Sequence, residues 1–171
     1  MAHRSVEIAN EFLRQPGALG HLTQMQLQKL AYMANGWNWA LNGEPLIEDG
    51  AEAWDYGPVY PDLYEHTKFF GKNPLERLIT AEDSEAARVF GGSDGRAAPY
   101  AGQLSDRESA IIAHVWKRYG GLSGSQLSAL THQRGTPWSD AYWSRGKSAP
   151  IAQDAIRHYF DELAQRAQAT A

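Results

Sequence analysis

The segment that decides the fold, residues 23–43, reads TQMQLQKLAYMANGWNWALNG. Thr23 and Gln26 have the spacing of a capping box, in which a hydroxyl and an amide bond free backbone N–H groups at a helix start. Gly43 stands where a left-handed helix cap belongs. Between these ends, apolar residues recur at the helical period: Leu27, Leu30, Ala31, Ala34, Trp37 and Leu41. The segment is therefore predicted to be one long amphipathic helix with its apolar stripe on the core.

A polar and aromatic stripe runs along another face of this predicted helix. Its members follow one another at spacings of three or four residues: Gln28, Tyr32, Asn35, Trp39 and Asn42. Two interpretations remain open, a partly buried boundary between helices and a recognition face, since amides and flat aromatic rings are common at interfaces. Lys29 lies on a further face among small residues, where it could form an ion pair with an acid of segment 44–65.

Helical periodicity extends to both sides of this segment. It predicts helices near residues 6–14, 61–70, 105–119, 123–131 and 150–167, a brief helical turn at 137–143 and a loop at 144–149. A turn signal at Asp49-Gly50 predicts a small β-hairpin near residues 46–56, ended by Gly57-Pro58. Residues 91–95, GGSDG, predict a flexible loop. We therefore expect a mainly α protein, a single compact domain of about six helices.

The composition is that of an ordinary globular protein. The 171 residues are 43% hydrophobic and 21% charged, which suits one domain with a sizeable core. There is no cysteine, so disulfides, thiolate zinc sites and cysteine nucleophiles are excluded. No apolar run approaches the ~20 residues of a membrane span, and no signal peptide is recognisable at the start. We expect a soluble, cytoplasmic protein without a membrane partner.

The whole chain has a formal net charge of −4, and its acidic residues are concentrated in one segment. Segment 44–65 contains no lysine or arginine, and its acids are Glu44, Glu48, Asp49, Glu52, Asp55, Asp62 and Glu65. Such a segment repels the phosphate backbone of nucleic acids, which proteins usually contact through clustered lysine and arginine. Nucleic-acid binding is thus disfavoured, whereas an acidic surface would speed encounter with a basic partner.

No catalytic or cofactor-binding motif is recognisable. The six histidines include no i, i+4 pair suited to a metal ion. The sequence contains neither a GxSxG nucleophile motif nor the glycine-rich loops that bind nucleotide phosphates. Paired acids such as Glu52 and Asp55 fit a solvated acidic face better than general acid–base catalysis. We predict a protein that is not an enzyme and binds no metal or cofactor, with a small carboxylate or histidine enzyme as the remaining alternative.

Three local motifs together resemble a known family. They are LQKLAYMANGW at residues 27–37, AWDYGPVYP at 53–61, and LSALTH at 127–132 followed by Pro137-Trp138. In this order and spacing they resemble the Panacea domain of SocA-like and phage-associated antitoxin proteins, as a single domain over residues 5–165. The resemblance implies a non-enzymatic protein that neutralises a cognate toxin by binding it. It also implies, as for some SocA-like antitoxins, a proteolytic adaptor that delivers the toxin to the ClpXP protease.

Several residues of these motifs are expected to have structural or binding roles: Lys29, Trp37, Trp54, Tyr56, Gly57, Pro58, His132, Pro137 and Trp138. Gly57 and Pro58 suit a tight turn, because glycine permits positive φ and proline fixes φ. His132 and Trp138 could fasten the preceding helix through one imidazole hydrogen bond and a buried indole, or could contact the toxin directly.

The predicted partner-binding surface combines the polar and aromatic stripe with the acidic segment that follows it. Its candidate residues are Gln28, Tyr32, Asn35, Trp39, Glu48, Glu52 and Asp55. An alternative function is a DNA-binding regulator of its own operon, since the helices within residues 105–131 imitate a helix-turn-helix. The second of these helices, however, offers few basic residues for phosphates or bases.

Overall fold

The computed structural model describes residues 1–91 and 94–170 of the chain. Within these ranges the chain forms eight α-helices and three short β-strands. The helices are α1 (Ser5–Leu13), α2 (Gln24–Asn42), α3 (Pro61–Thr67), α4 (Glu85–Phe90), α5 (Asp106–Tyr119), α6 (Gly124–Thr131), α7 (Pro137–Arg145) and α8 (Gln153–Ala169). The strands are β1 (Ala51–Trp54), β2 (Gly57–Val59) and β3 (Ala149–Ile151). The mainly α prediction is confirmed, and the protein is a single compact domain.

Helix α2 is the central element, because α1, α5, α6 and α8 all pack against it. The predicted capping box is present: the Thr23 hydroxyl accepts the Gln26 N–H, and Gly43 adopts the left-handed conformation with φ of 78°. All residues from Gln26 to Asn38 are buried. Of the predicted apolar stripe, only Leu41 departs from the core, with 52% of its surface exposed at the end of the helix.

Gly36 allows α8 to approach α2 closely. A Cβ atom at this position would lie 2.2–2.5 Å from ring atoms of Phe160 on α8. The same Phe160 ring makes edge contacts with Trp37 and Tyr32, at centroid distances of 5.6 and 6.1 Å. The missing side chain of Gly36 is therefore replaced in the core by the Phe160 ring.

The small β element is a three-stranded antiparallel sheet with strand order β2-β1-β3. Its hairpin pairs Trp54 with Gly57, so Asp55 and Tyr56 form the two-residue turn. The expected turn at Asp49-Gly50 is wrong, and so is the expected end of the hairpin at Gly57-Pro58, since both residues belong to β2.

The apolar stretch expected as the first hairpin strand has a different partner. Ile47 forms a single parallel bridge with His3, near the start of the chain. Strand β3 was also missed: it lies at the junction of the predicted loop 144–149 and the predicted helix from residue 150. Its partner is β1, nearly 100 residues earlier, so no local pattern marks the pairing.

The number of helices exceeds the prediction for two reasons. Residues 71–104, which carry little periodicity, contain α4, and the brief turn predicted at 137–143 is the full helix α7.

A buried amide ties residues 71–104 to the core: the Asn10 side chain donates to the carbonyls of Ile79 and Tyr100 and accepts the Ile79 N–H, all at 2.8–2.9 Å. Two residues of the predicted loop 91–95, Gly92 and Ser93, lie outside the described residues.

We predict that Gly36→Ala lowers the free energy of unfolding by about 1–3 kcal/mol, the range for overpacking a filled core. The sign is informative, because alanine in a helix interior otherwise stabilises by about 0.5–1 kcal/mol relative to glycine. Urea denaturation measures the change. The matched control is Gly121→Ala, since a Cβ at Gly121 meets no atom within 4 Å. Equal stabilities for the two variants would contradict the close approach of α8.

Candidate functional site

A solvent-open cleft of about 850 Å³ lies between the first half of α2, the β1–β2 hairpin, α3 and the start of α6. Five of the residues selected from the sequence line it: Gln28, Lys29, Trp54, Asp55 and Tyr56. The fold thus brings the first and second sequence motifs to one concave surface. A cleft of this volume is within the range of ligand-binding pockets.

The third motif lies behind the hairpin and holds it in place. The Trp138 indole N–H donates to the Trp54 carbonyl at 2.6 Å, and the Ser128 hydroxyl donates to the carbonyl of Tyr56. At the tip, the Tyr142 hydroxyl donates to Asp55 at 2.7 Å, and the Lys147 ammonium lies 2.7 Å from the same carboxylate. Hydrogen bonds from Lys147 and Tyr142 hold the pKa of Asp55 below its usual value. The hairpin tip is therefore fixed before any partner arrives.

The His132 imidazole packs against Trp138 as expected, but its predicted hydrogen bond is absent among the described residues. His132 packs edge-on against the Trp138 indole with ring centroids 5.2 Å apart. Its Nδ1 atom is buried without a hydrogen-bond partner among the described residues. The indole rather than the imidazole supplies the hydrogen bond, and Pro137 occupies the first turn of α7, where a missing N–H has no cost.

Lys29 is a buried lysine without a carboxylate partner. It is 1% exposed, and within the described chain its ammonium donates one hydrogen bond, to the Pro58 carbonyl at 2.9 Å. The ion pair considered from the sequence, with an acid of segment 44–65, is absent among the described residues. Burial lowers the pKa of Lys29 from 10.5 to about 7, because the interior solvates the charged form poorly.

Gly57 makes room for this lysine. A Cβ at Gly57 would lie 3.0 Å from Lys29 Cε, 3.2 Å from Lys29 Nζ and 2.9 Å from the Thr131 hydroxyl. Gly57 also has a φ of 112°, which L side chains rarely adopt. The glycine of the second motif and the lysine of the first are thus parts of one packing arrangement.

The recognition-face interpretation of the α2 stripe is wrong for Tyr32 and Asn35, which are 2% and 0% exposed, whereas Gln28 lines the cleft with 3% of its surface exposed. Gln28 is bonded inside the protein, since its amide accepts the Tyr60 N–H at 2.8 Å and donates to the Tyr60 carbonyl at 3.1 Å. Its side chain thus pairs with a peptide group as a neighbouring strand would. The stripe packs against other parts of the protein. This agrees better with the other interpretation, a partly buried boundary between helices.

Asn35 has the same role further along α2. Its side-chain oxygen accepts the N–H groups of Leu46 and Ile47 at 3.0 and 3.1 Å, and its amide nitrogen donates to Gln153 at 3.1 Å. Trp39 is half-buried, and its indole N–H donates to the same Gln153 oxygen at 2.9 Å. Trp37 is buried in the core and donates to the Tyr119 hydroxyl.

The acidic surface expected over segment 44–65 is partly neutralised, because basic groups from elsewhere in the chain pair with three of its seven acids. Asp62 binds Arg4, Glu65 binds Lys68 and Asp55 binds Lys147, with N–O distances of 2.7–2.9 Å. Asp49 accepts the Ser5 N–H, and Glu52 accepts the Trp54 indole N–H. Glu44 and Glu48 are exposed.

Sequence reasoning missed several residues that line the cleft: Met25, Tyr64, Lys72, Ser123 and Lys147. Tyr64 had a usable signal, since it lies one turn into a predicted helix next to the second motif, and its ring contacts the Trp54 ring at 4.8 Å. Lys72 and Lys147 lie between helices, where only the tertiary structure brings them to the cleft.

The described residues contain neither a cluster of metal-binding side chains nor a membrane-spanning helix. Over residues 1–91 and 94–170, no group of three or more His, Asp or Glu side chains could hold a metal ion. None of the described helices combines the length and the apolar character that crossing a membrane requires. Helix α6, the second helix of the DNA-binding alternative, contains no lysine or arginine. Its first residues line the cleft instead.

The lowered pKa of Lys29 predicts a pH dependence of stability. Between about pH 7 and 10.5 the unfolded chain binds one more proton at Lys29 than the folded chain, so the free energy of unfolding rises with pH. In this window the free energy of unfolding of the wild type should rise, relative to that of Lys29→Met, by up to about 1.4 kcal/mol per pH unit. Urea denaturation at pH 7, 8 and 9 measures the difference. Lys117→Met, at an exposed lysine of α5, is the control. A difference in stability between the wild type and Lys29→Met that stays constant with pH would contradict the prediction.

Comparison with known proteins identifies the family. The sequence profile described as "Antitoxin SocA-like, Panacea domain" matches residues 27–139, which contain all three motifs. The chain is 32% identical over 135 residues to the antitoxin SocA of Caulobacter vibrioides (strain NA1000 / CB15N). This alignment covers 77% of the chain and 66% of that relative, just under two thirds of its length. No solved structure matches. The chain belongs to the SocA-like antitoxin family and carries its Panacea domain.

Proposed function

We propose that this protein is an antitoxin that neutralises a cognate toxin by binding it directly. Its family supports the antitoxin role, and its relative from Caulobacter vibrioides is named an antitoxin. The observation that carries direct binding is the cleft with its fixed hairpin rim, formed by the motifs that define the family resemblance. A partner can bind there without first ordering the rim.

Exposed aromatic side chains lie at the hairpin tip and on the neighbouring helix α7. Tyr56 at the hairpin tip is 69% exposed, and Trp143 on α7 is 76% exposed. Trp143 is continuous with the tip, because its ring contacts Tyr142 at 5.1 Å and Tyr142 bonds Asp55. Large exposed aromatic rings on a rigid support are typical binding hot spots, since they bury much area and lose little conformational entropy. The toxin is therefore proposed to contact the hairpin tip and α7.

Delivery of the bound toxin to the ClpXP protease is the second part of the proposal. It rests on the resemblance to SocA-like antitoxins. Blocking and delivery make different demands: blocking needs only a tight complex, whereas delivery requires that the protease remove the toxin from that complex. The lifetime of the toxin separates the two.

We predict that Tyr56→Ala and Trp143→Ala each weaken the toxin complex by ~30-fold, the effect of truncating one hot-spot aromatic residue. The melting temperature should change little, because both rings are exposed. The toxin is sought as the product of the neighbouring gene, and calorimetry with growth rescue on co-expression gives the two readouts. Phe90→Ala is the matched control, since Phe90 is 87% exposed and belongs to α4 rather than to the hairpin tip or α7. Equal binding by all three variants would place the interface elsewhere.

For delivery, we predict that the toxin is degraded quickly only when this protein and ClpXP are both present. The measurement is the toxin half-life after synthesis is stopped, in cells with and without ClpX. A half-life that does not depend on ClpX would show that the protein blocks the toxin without delivering it.

A further inference from the structure

The cleft carries positive charge in an otherwise acidic protein. Its charged lining consists of Lys29, Lys72, Lys147 and Asp55, in a chain of net charge −4. Asp55 is engaged by Lys147. Neither Lys29 nor Lys72 forms an ion pair with any residue that the structure describes. The local excess of positive charge therefore lacks an internal counter-charge.

Lys29 shows this lack most clearly: burial makes an unpaired charge costly and lowers its pKa to about 7, and a carboxylate beside the ammonium would favour the charged form again. The ammonium is taken out of water, and one carbonyl, that of Pro58, is its hydrogen-bond partner. An ammonium group has three donors, so a single carbonyl leaves hydrogen-bonding capacity free. Lys29 lines the cleft with only 1% of its surface exposed, and a carboxylate that reaches its ammonium gains an ion pair without disturbing any other.

Two helix starts add positive potential at the same place. Helix α2 begins at Gln24 and helix α6 at Gly124, and both residues line the cleft. The first N–H groups of a helix have no partner within it and carry partial positive charge. They support the buried lysine in favouring a negatively charged occupant.

The uncharged lining combines polar residues such as Gln24 and Ser123 with aromatic and apolar ones, so the best-fitting occupant has apolar groups as well as negative charge. Trp54 and Tyr64 form one wall with ring centroids 4.8 Å apart, and Met25 lies on α2. A volume of about 850 Å³ exceeds what one small anion fills. The chemistry suits a short stretch of polypeptide that combines acidic side chains with a large apolar one.

We propose that the cleft binds an acidic peptide segment of the toxin, with aspartate or glutamate side chains at Lys29 and Lys72 and an apolar side chain against Trp54. This inference rests on the proposed function for the identity of the partner, but its chemistry follows from the cleft. It replaces the basic partner expected from segment 44–65, whose acids are mostly paired within the protein.

Peptide pools test the chemistry without the toxin. Three pools of pentapeptides each have Trp, Tyr, Leu or Met at the central position. In the first pool the other four residues are glutamates and both ends are blocked. In the second they are glutamines with both ends blocked, and in the third they are glutamines with a free C-terminal carboxylate. NMR titration of the protein should show shifts at cleft residues with the glutamate pool only. Binding of the two blocked pools to equal extent, or of none, would overturn the proposal. Binding of the third pool alone would replace the acidic side chains by a chain terminus.

Variants test the residues. Lys29→Met should weaken binding of the glutamate pool by at least ~30-fold, the effect of removing one partner of a buried charge pair. Lys72→Glu reverses an exposed charge that forms no ion pair with the described residues, and should weaken binding by at least ~3-fold. Lys117→Glu, on α5 away from the cleft lining, should bind as the wild type does. If Lys72→Glu and Lys29→Met, as single variants, both bind the glutamate pool as tightly as the wild type, the proposed contacts are contradicted.

The same variants then separate this inference from the proposed function. If the wild-type protein binds the toxin and both lysine variants bind it equally well, the acidic-segment inference fails and the antitoxin proposal stands. If the wild type does not bind the toxin while the glutamate pool still occupies the cleft, the proposed function fails and the chemistry of the cleft stands.

Discussion

Two buried amides of α2, Gln28 and Asn35, hold the irregular segment between residues 46 and 60 on the core. Backbone N–H and C=O groups that leave water need partners, and a chain without long strands cannot supply all of them itself. A side-chain amide has the donor and acceptor of a peptide group, so each amide substitutes for a missing strand. Leaving such a group unpaired costs about 1–3 kcal/mol. The path of the chain from Leu46 to Tyr60 depends on these contacts.

The cleft follows from that path. With Tyr60 fixed on Gln28, strand β2 lies over Lys29, and the Pro58 carbonyl becomes the partner of the buried ammonium. Gly57 is then the residue that leaves space for the lysine. Trp138 and Ser128 hold the hairpin from behind. The three motifs, although distant in the chain, thus share one small region, which accounts structurally for their occurrence together.

Elements whose signal is local were predictable from the sequence. The capping boxes at Thr23 and Ser105 mark the starts of α2 and α5, because the bonds that make a cap join residues three positions apart. The hairpin was misplaced because Asp49-Gly50 is a stronger turn signal than Asp55-Tyr56. The pairing of Ile47 with His3, which removes it from the hairpin, is invisible in a local window.

Local sequence patterns predicted the helical class, the long central helix and motif residues that line the cleft. The burial of the polar stripe of α2 and the pairing of charges depend on the tertiary structure. Both depend on groups distant in the chain: the amides of α2 are buried because irregular backbone needs their hydrogen bonds. Three acids of segment 44–65, Asp62, Glu65 and Asp55, form ion pairs with Arg4, Lys68 and Lys147. Composition along the chain reports the number of charges, whereas ion pairs and burial depend on distances that only folding sets.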